Sequence, residues 1–190
     1  MSHTWKWIIG IMVIVLVMGG WVAGGYNRLV ASDQGVSGQW GQVEAAYQRR
    51  FDLIPNVVAA VKGSLKQEQA VFGAIAEART QYGSAKSVDE KVAAANQVES
   101  ALSRLLVIVE NYPILKSSEV VQNLITELEG TENRISVERR RYNDVVGEYN
   151  IMVKRFPGNL LAGVFGFHEK PFFAAQVGAA EAPKVNLDVK

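Results

Sequence analysis

The sequence contains no cysteine. That excludes a disulfide framework, a thiolate nucleophile, an iron–sulfur cluster and a cysteine-ligated zinc, and it leaves the redox compartment open. Histidine is nearly as scarce. His3 and His168 stand at opposite ends of the chain, and neither has a second ligand three or four residues on. No H-E-x-x-H, Walker loop, strand-borne G-x-G-x-x-G or G-x-S-x-G elbow occurs, and Gly163-Val164-Phe165-Gly166 is only a glycine-punctuated apolar run. Charge of one sign is missing too. Lys plus Arg is 20 against Asp plus Glu 19, a net +1, which removes the electrostatic footprint of a nucleic-acid binder. We therefore expect no enzyme activity, no catalytic residue, no metal, no cofactor and no nucleic-acid partner.

What is present is uneven hydrophobicity along 190 residues, a length that suggests one domain with a short appendage. From Trp7 through Tyr26 there is no charge, which meets the roughly 20 residues needed to cross ~30 Å of hydrocarbon. Trp5, Trp7, Trp21 and Tyr26 sit at its ends, where amphipathic rings favour the headgroup level. Lys6, the apolar run and Val22-Ala23-Gly24 also fit a cleaved signal peptide. Such a peptide usually has an apolar region of about 7–15 residues without aromatic flanks, so an uncleaved single span is expected. Lys6 and the terminal amine against Arg28 lean the N-terminus toward the cytoplasm. Gly20 and Gly24 form a small-xxx-small pair that either lets two spans approach or merely loosens the helix end.

Beyond Asn27 the apolar residues recur at alternating spacings of three and four, the seam of a bundle or coiled coil. One series runs from Val36 through Trp40, Val43, Tyr47, Ile54, Val57, Val61, Leu65 and Phe72 to Tyr82. A second runs from Val88 to Tyr112, and a third from Val121 to Phe156. Gly83-Ser84-Ala85-Lys86 separates the first two, and Ser87 with Glu90 makes a capping box. Asn111-Tyr112-Pro113 stops the second series, Ser117 or Ser118 caps the third, and Phe156-Pro157-Gly158-Asn159 ends it. The third helix, about 40 residues, would reach roughly 60 Å. Short connections make neighbours antiparallel. Pro55 should kink or break the first segment, and a break would turn three long helices into four.

Three polar residues, Arg50, Thr131 and Glu138, fall on the seams, and Asp52 and Asn56 flank the proline. A buried charge needs a partner, so we expect a structural polar layer. In it Arg50 or Arg49 meets Glu138 or the Glu132-Asn133 pair and sets helix register. Arg139-Arg140-Arg141 reads as a solvated face or a phosphate contact. The stretch from Phe156 to Phe173 concentrates aromatics, among them Phe165, Phe167, Phe172 and Phe173. It serves either to cover the bundle end or as an exposed docking surface for a second copy or the membrane interface. Val185, Leu187 and Val189 alternate like a strand that adds to a partner's sheet edge, and the equal alternative is a disordered alanine-rich tail.

The block Arg50–Gly63 (RFDLIPNVVAAVKG) resembles the LemA family of bacterial membrane-anchored proteins. The likeness extends to Tyr26-Asn27, Trp40, Ala78-Arg79, Tyr112-Pro113, Leu115-Lys116, Leu128 to Ile135 (LEGTENRI), Tyr142-Asn143, Tyr149-Asn150, Phe156-Pro157 and Phe172-Phe173. It covers almost all of the chain after the anchor and is weakest at Ser117 to Val121. The resemblance implies a span followed by an antiparallel bundle of four-helix type, with a break or bend in the first segment and no known catalytic residues. Some relatives carry a lipoprotein cysteine where this chain has Gly24-Gly25, so lipidation is excluded here. Those exported relatives favour a bundle on the non-cytoplasmic side, whereas descriptions with an outward N-terminus place it inside. A relative in magnetosome membrane formation implies membrane-organising work, and another association is with a stress-response membrane zinc protease.

The expected fold is therefore all-α, an N-terminal transmembrane helix followed by a long antiparallel coiled-coil or four-helix-type bundle. Its parts are a flank over 1–6, the anchor over 7–26, the bundle over 27–157 and an aromatic-rich segment with an extended tail over 158–190. The leading functional expectation is a scaffold in the bacterial cell membrane, in contact with the lipid bilayer, that self-associates as a homo-oligomer and shapes the membrane. The runner-up is an adaptor or regulator of a membrane-protein partner such as a protease, and an enzyme with an unrecognised site is the distant third.

Overall fold

The computed structural model describes residues 3–63 and 69–173. Leu65 of the first apolar series and the strand-like Val185, Leu187 and Val189 lie outside the described residues. The helices are α1 (His3–Lys62), α2 (Gln69–Ser84), α3 (Val88–Glu110), α4 (Pro113–Lys116), α5 (Glu119–Lys154) and α6 (Gly158–Phe165). Among the described residues there is no strand, and the fold is all-α as expected.

Pro55 lies inside α1, which continues to Lys62. The expected break is therefore not at the proline. Proline removes one i→i−4 bond, but its fixed φ is itself helical. Pro55 is exposed while Phe51, Ile54 and Val57 around it are buried, so packing on the other face carries the helix through. The apolar series that spans Val36 to Tyr82 is nonetheless divided, because α1 ends at Lys62 and α2 starts at Gln69. The other boundaries follow local chemistry. Both halves of the Ser87–Glu90 capping box are formed at the start of α3, and Pro113 opens the single-turn α4 at its first position.

The chain forms two compact units, each assembled from pieces distant in sequence rather than from consecutive blocks. One unit draws on Ala46–Ile135 and Phe173–Lys190. Within it, Val57 and Val61 of α1, Ile75 of α2, Val98, Leu102 and Leu105 of α3, Leu115 of α4 and Leu128 and Ile135 of α5 are buried. Tyr47, Phe51 and Tyr82 form an aromatic cluster, with centroids 4.6 Å apart for the edge-on Phe51–Tyr82 pair. α3 also has the length and composition of a span, but much of that stretch is buried as core.

The other unit draws on Met1–Ala45 and Ser136–Phe172. The α1 part carries the long apolar stretch, none of which is buried within the protein. Past it, α1 packs antiparallel to α5. Gly35 faces Val145 and Trp40 packs edge-on against Tyr142 at 5.4 Å, while Gln39 reaches down to Glu138. Leu29, Leu161 and Ala162 form a small core with Val22, Met152, Val153 and Phe167 against it.

Candidate functional site

Where the anchor ends, α6 is seated. Val22 and Leu29 of α1 share a core with Leu161 and Ala162. Tyr26 packs against Phe165 at 4.8 Å and Phe167 at 6.0 Å between ring centroids. A Cβ on Gly25 would collide with the Leu161 side chain, and one on Gly158 with the Met152 carbonyl oxygen. Gly25 therefore permits the close approach of α6 to α1, and Gly158 that of the start of α6 to the end of α5. Pro157 stands before α6 and Gly166, at φ 74°, closes it in the left-handed conformation. The sequence reading took this segment as glycine-broken and missed the helix. The proline-before, glycine-after pattern was the signal.

One side of α6 has no cover. Leu160 and Val164, spaced four apart, are 57% and 78% exposed, Phe165 is 44% exposed, and Phe156 in the turn before α6 is 72% exposed. The aromatic segment thus divides between its two expected roles. Phe173 is buried and Phe167 half-buried, whereas Phe165 and Phe172 face outward. Gly20 and Gly24 have open space around them.

The segment after α6 is strapped down by polar contacts that sequence reasoning did not find. The buried Asn150 amide donates to the Lys170 carbonyl and its oxygen accepts from the Lys170 N–H, both at 2.9 Å. Tyr142 donates to the Pro171 carbonyl at 3.3 Å. Lys170 Nζ pairs with Asp33 at 2.9 Å and lies over the Tyr149 ring at 5.8 Å. The Tyr149 hydroxyl is buried without a well-formed hydrogen bond. Burial first, and then the neighbouring Asp33 carboxylate, push its pKa above the ordinary value.

Of the residues expected in a polar layer, Arg50, buried, pairs with Glu132, one of the partners expected for it, but its Nε has no partner. Thr131, also buried, returns its hydroxyl to the Leu128 carbonyl of its own helix at 2.7 Å. Glu138 does not meet an arginine of α1; it accepts from Gln39 at 2.8 Å and Arg141 at 2.9 Å. Asp52 is exposed and bound to Gln48, and Asn56 and Asn133 are exposed. The reason is angular. Each residue turns 100° around the helix, and with Phe51, Ile54 and Val57 inward, Asp52 and Asn56 point out. Among the described residues, no three of His, Asp and Glu gather as a metal would require.

Comparison with known proteins now separates the possibilities. The sequence model of the LemA family matches residues 39–187. The chain belongs to the LemA family. Among its relatives, magnetosome protein MamQ 2 of Paramagnetospirillum magneticum is 26% identical over 174 residues, covering 78% of this chain and 64% of that protein. MamQ of Magnetospirillum gryphiswaldense is 26% identical over 178 residues, covering 77% and 65%. Protein LemA of Metamycoplasma hominis is 24% identical over 182 residues, covering 95% and 78%. The chain thus spans just under two thirds of the length of its MamQ relatives. Together with the apolar stretch of α1, LemA membership makes this a membrane-associated helical protein.

Proposed function

We propose that this LemA protein is a non-enzymatic scaffold of the bacterial cell membrane. Residues 7–26 hold it in the bilayer, α6 lies at the lipid–water boundary, and copies associate through the Gly20–Gly24 edge to organise the membrane. The observation that carries this reading is the uncovered pair Leu160 and Val164 on α6, with exposed Phe156 in the turn before it, on a helix whose Leu161 and Ala162 pack against Val22 and Leu29 of α1. Aromatic and aliphatic side chains at that depth are stable in the headgroup and acyl boundary. The likeness to proteins named for the magnetosome supports an organising role over a chemical one.

The absence of native cysteine makes the test direct. Single Gly20→Cys and Gly24→Cys variants, oxidised in native membranes, should give covalent dimers, and Met18→Cys, on the opposite side of the helix, fewer. A dye on Leu160→Cys should shift to the blue in lipid vesicles. Monomers in all three cysteine variants and in mass photometry would remove self-association. Recovery of one stoichiometric membrane protein without any homo-oligomer would replace the scaffold with an adaptor.

A further inference from the structure

Between α1, the end of α5 and the start of α6 lies a cavity of about 190 Å³. Its wall includes Trp21, Arg28, Leu161, Arg155, Phe156 and Gly158. Only two of the lining residues are charged, and both are arginines. Both are exposed, and among the described residues neither has an ion pair. Both guanidiniums line one cavity that has no carboxylate among its lining residues, so an anion seated there would meet cations alone. The α6 N-terminus opens onto the same cavity. Its cap is Pro157, which makes no side-chain hydrogen bond, so the positive end of the helix dipole is unopposed.

We infer that this cavity binds the phosphodiester of a membrane phospholipid, held by Arg28 and Arg155. The inference rests on residues 7–26 being the membrane span. Arg28 follows Tyr26 by two residues, about 3 Å along the helix, so it stands at phosphate depth rather than in hydrocarbon. Guanidinium presents paired N–H donors that match phosphate oxygens. The volume equals about six waters at ~30 Å³ each, enough for a headgroup phosphate but not for its acyl chains. Trp21 and Phe156, both exposed apolar rings that line the cavity, offer those chains an apolar surface. A cavity lined by exposed rings and two arginines fits a lipid better than a free ion, which would gain nothing from the rings.

The full-length protein in non-ionic detergent, titrated with phosphatidylglycerol and followed by native mass spectrometry, tests this. One lipid should stay bound per chain, and diacylglycerol, which lacks the phosphate, should not. Arg28→Gln and Arg155→Gln should each weaken retention roughly tenfold, as expected for the loss of a charge-assisted hydrogen bond. Lys62→Gln, an exposed cation distant in sequence, should leave retention unchanged. Circular dichroism should show equal helicity in all variants. Equal retention by wild type and the Arg28→Gln/Arg155→Gln double variant would overturn the site. So would equal binding of diacylglycerol, or complete displacement of the lipid by inorganic phosphate. Carbonate extraction of cell membranes reports separately on the anchor. Release of the wild-type chain would refute the span, whereas a membrane-retained chain that ignores the arginine substitutions would refute the lipid site alone.

Discussion

Arg50 and Glu132 form a lopsided pair. The arginine side chain is 9% exposed and the glutamate 35%, so only the glutamate retains access to water. Breaking a buried pair is costly chiefly because of the charge left behind. The two single substitutions should therefore differ. Glu132→Gln leaves a buried cation with a poorer acceptor and should destabilise by about 2–3 kcal/mol, discounted from a fully buried pair for the partial exposure. Arg50→Leu leaves only a carboxylate that can hydrate, and also removes the orphaned Nε. It should shift stability by less than about 1 kcal/mol in either direction. Denaturation of the two variants in the same detergent measures the difference, and equal losses would refute this account.

At the scale of the element, α6 is a short helix whose position depends on two glycines in unlike ways. At Gly25 an added methyl meets the end of the Leu161 side chain, which can turn aside. At Gly158 it meets the Met152 backbone carbonyl, which cannot. Gly158→Ala should thus cost about 1–3 kcal/mol, the range for overpacking, and Gly25→Ala distinctly less. Hydrogen exchange at Leu161 and Ala162 reads which substitution unseats the helix. These contacts explain what the sequence could and could not disclose. The three-and-four spacing, the Ser87–Glu90 box and Pro113 are local signals, and they place α3 and α5 well, whereas the single-turn α4 that Pro113 opens was not expected. Pro55 is also local but was outweighed by the buried face opposite it. The strap from Asn150 to Lys170 joins residues 20 apart, and Gly25 touches a residue on a different helix. No periodicity encodes such pairings. A seam position fixes which way a side chain faces but not always its partner: Arg50 meets Glu132 as expected, whereas Glu138 accepts from Gln39 and Arg141.

For the molecule as a whole, two groups contribute pH-dependent stability of opposite sense. The Glu90 carboxyl accepts from the Lys86 and Ser87 amides, in that order of effect, and its pKa lies below the ordinary 4.5. A depressed acid stabilises the fold above its unfolded pKa and loses that contribution as pH falls through the folded one. Tyr149 is the reverse. Its pKa is raised above 10.0, so its contribution is complete below that value and is lost as pH climbs through the higher folded pKa. Denaturation midpoints across pH should therefore fall at both extremes. Glu90→Gln should flatten the acid limb and Tyr149→Phe the alkaline one. A limb unchanged by its substitution would assign it to other groups.

The unbroken run of α1 from the anchor to Ala45 carries a mechanical corollary. On the proposed reading of residues 7–26 as a span, with no joint after it, the angle at which that span leans would be inherited by Asp33, Val36 and Trp40. A span leans further when the surrounding bilayer thins. Local thickness would then be converted to the bearing of a rod outside the lipid, as a mast reports the heel of its hull.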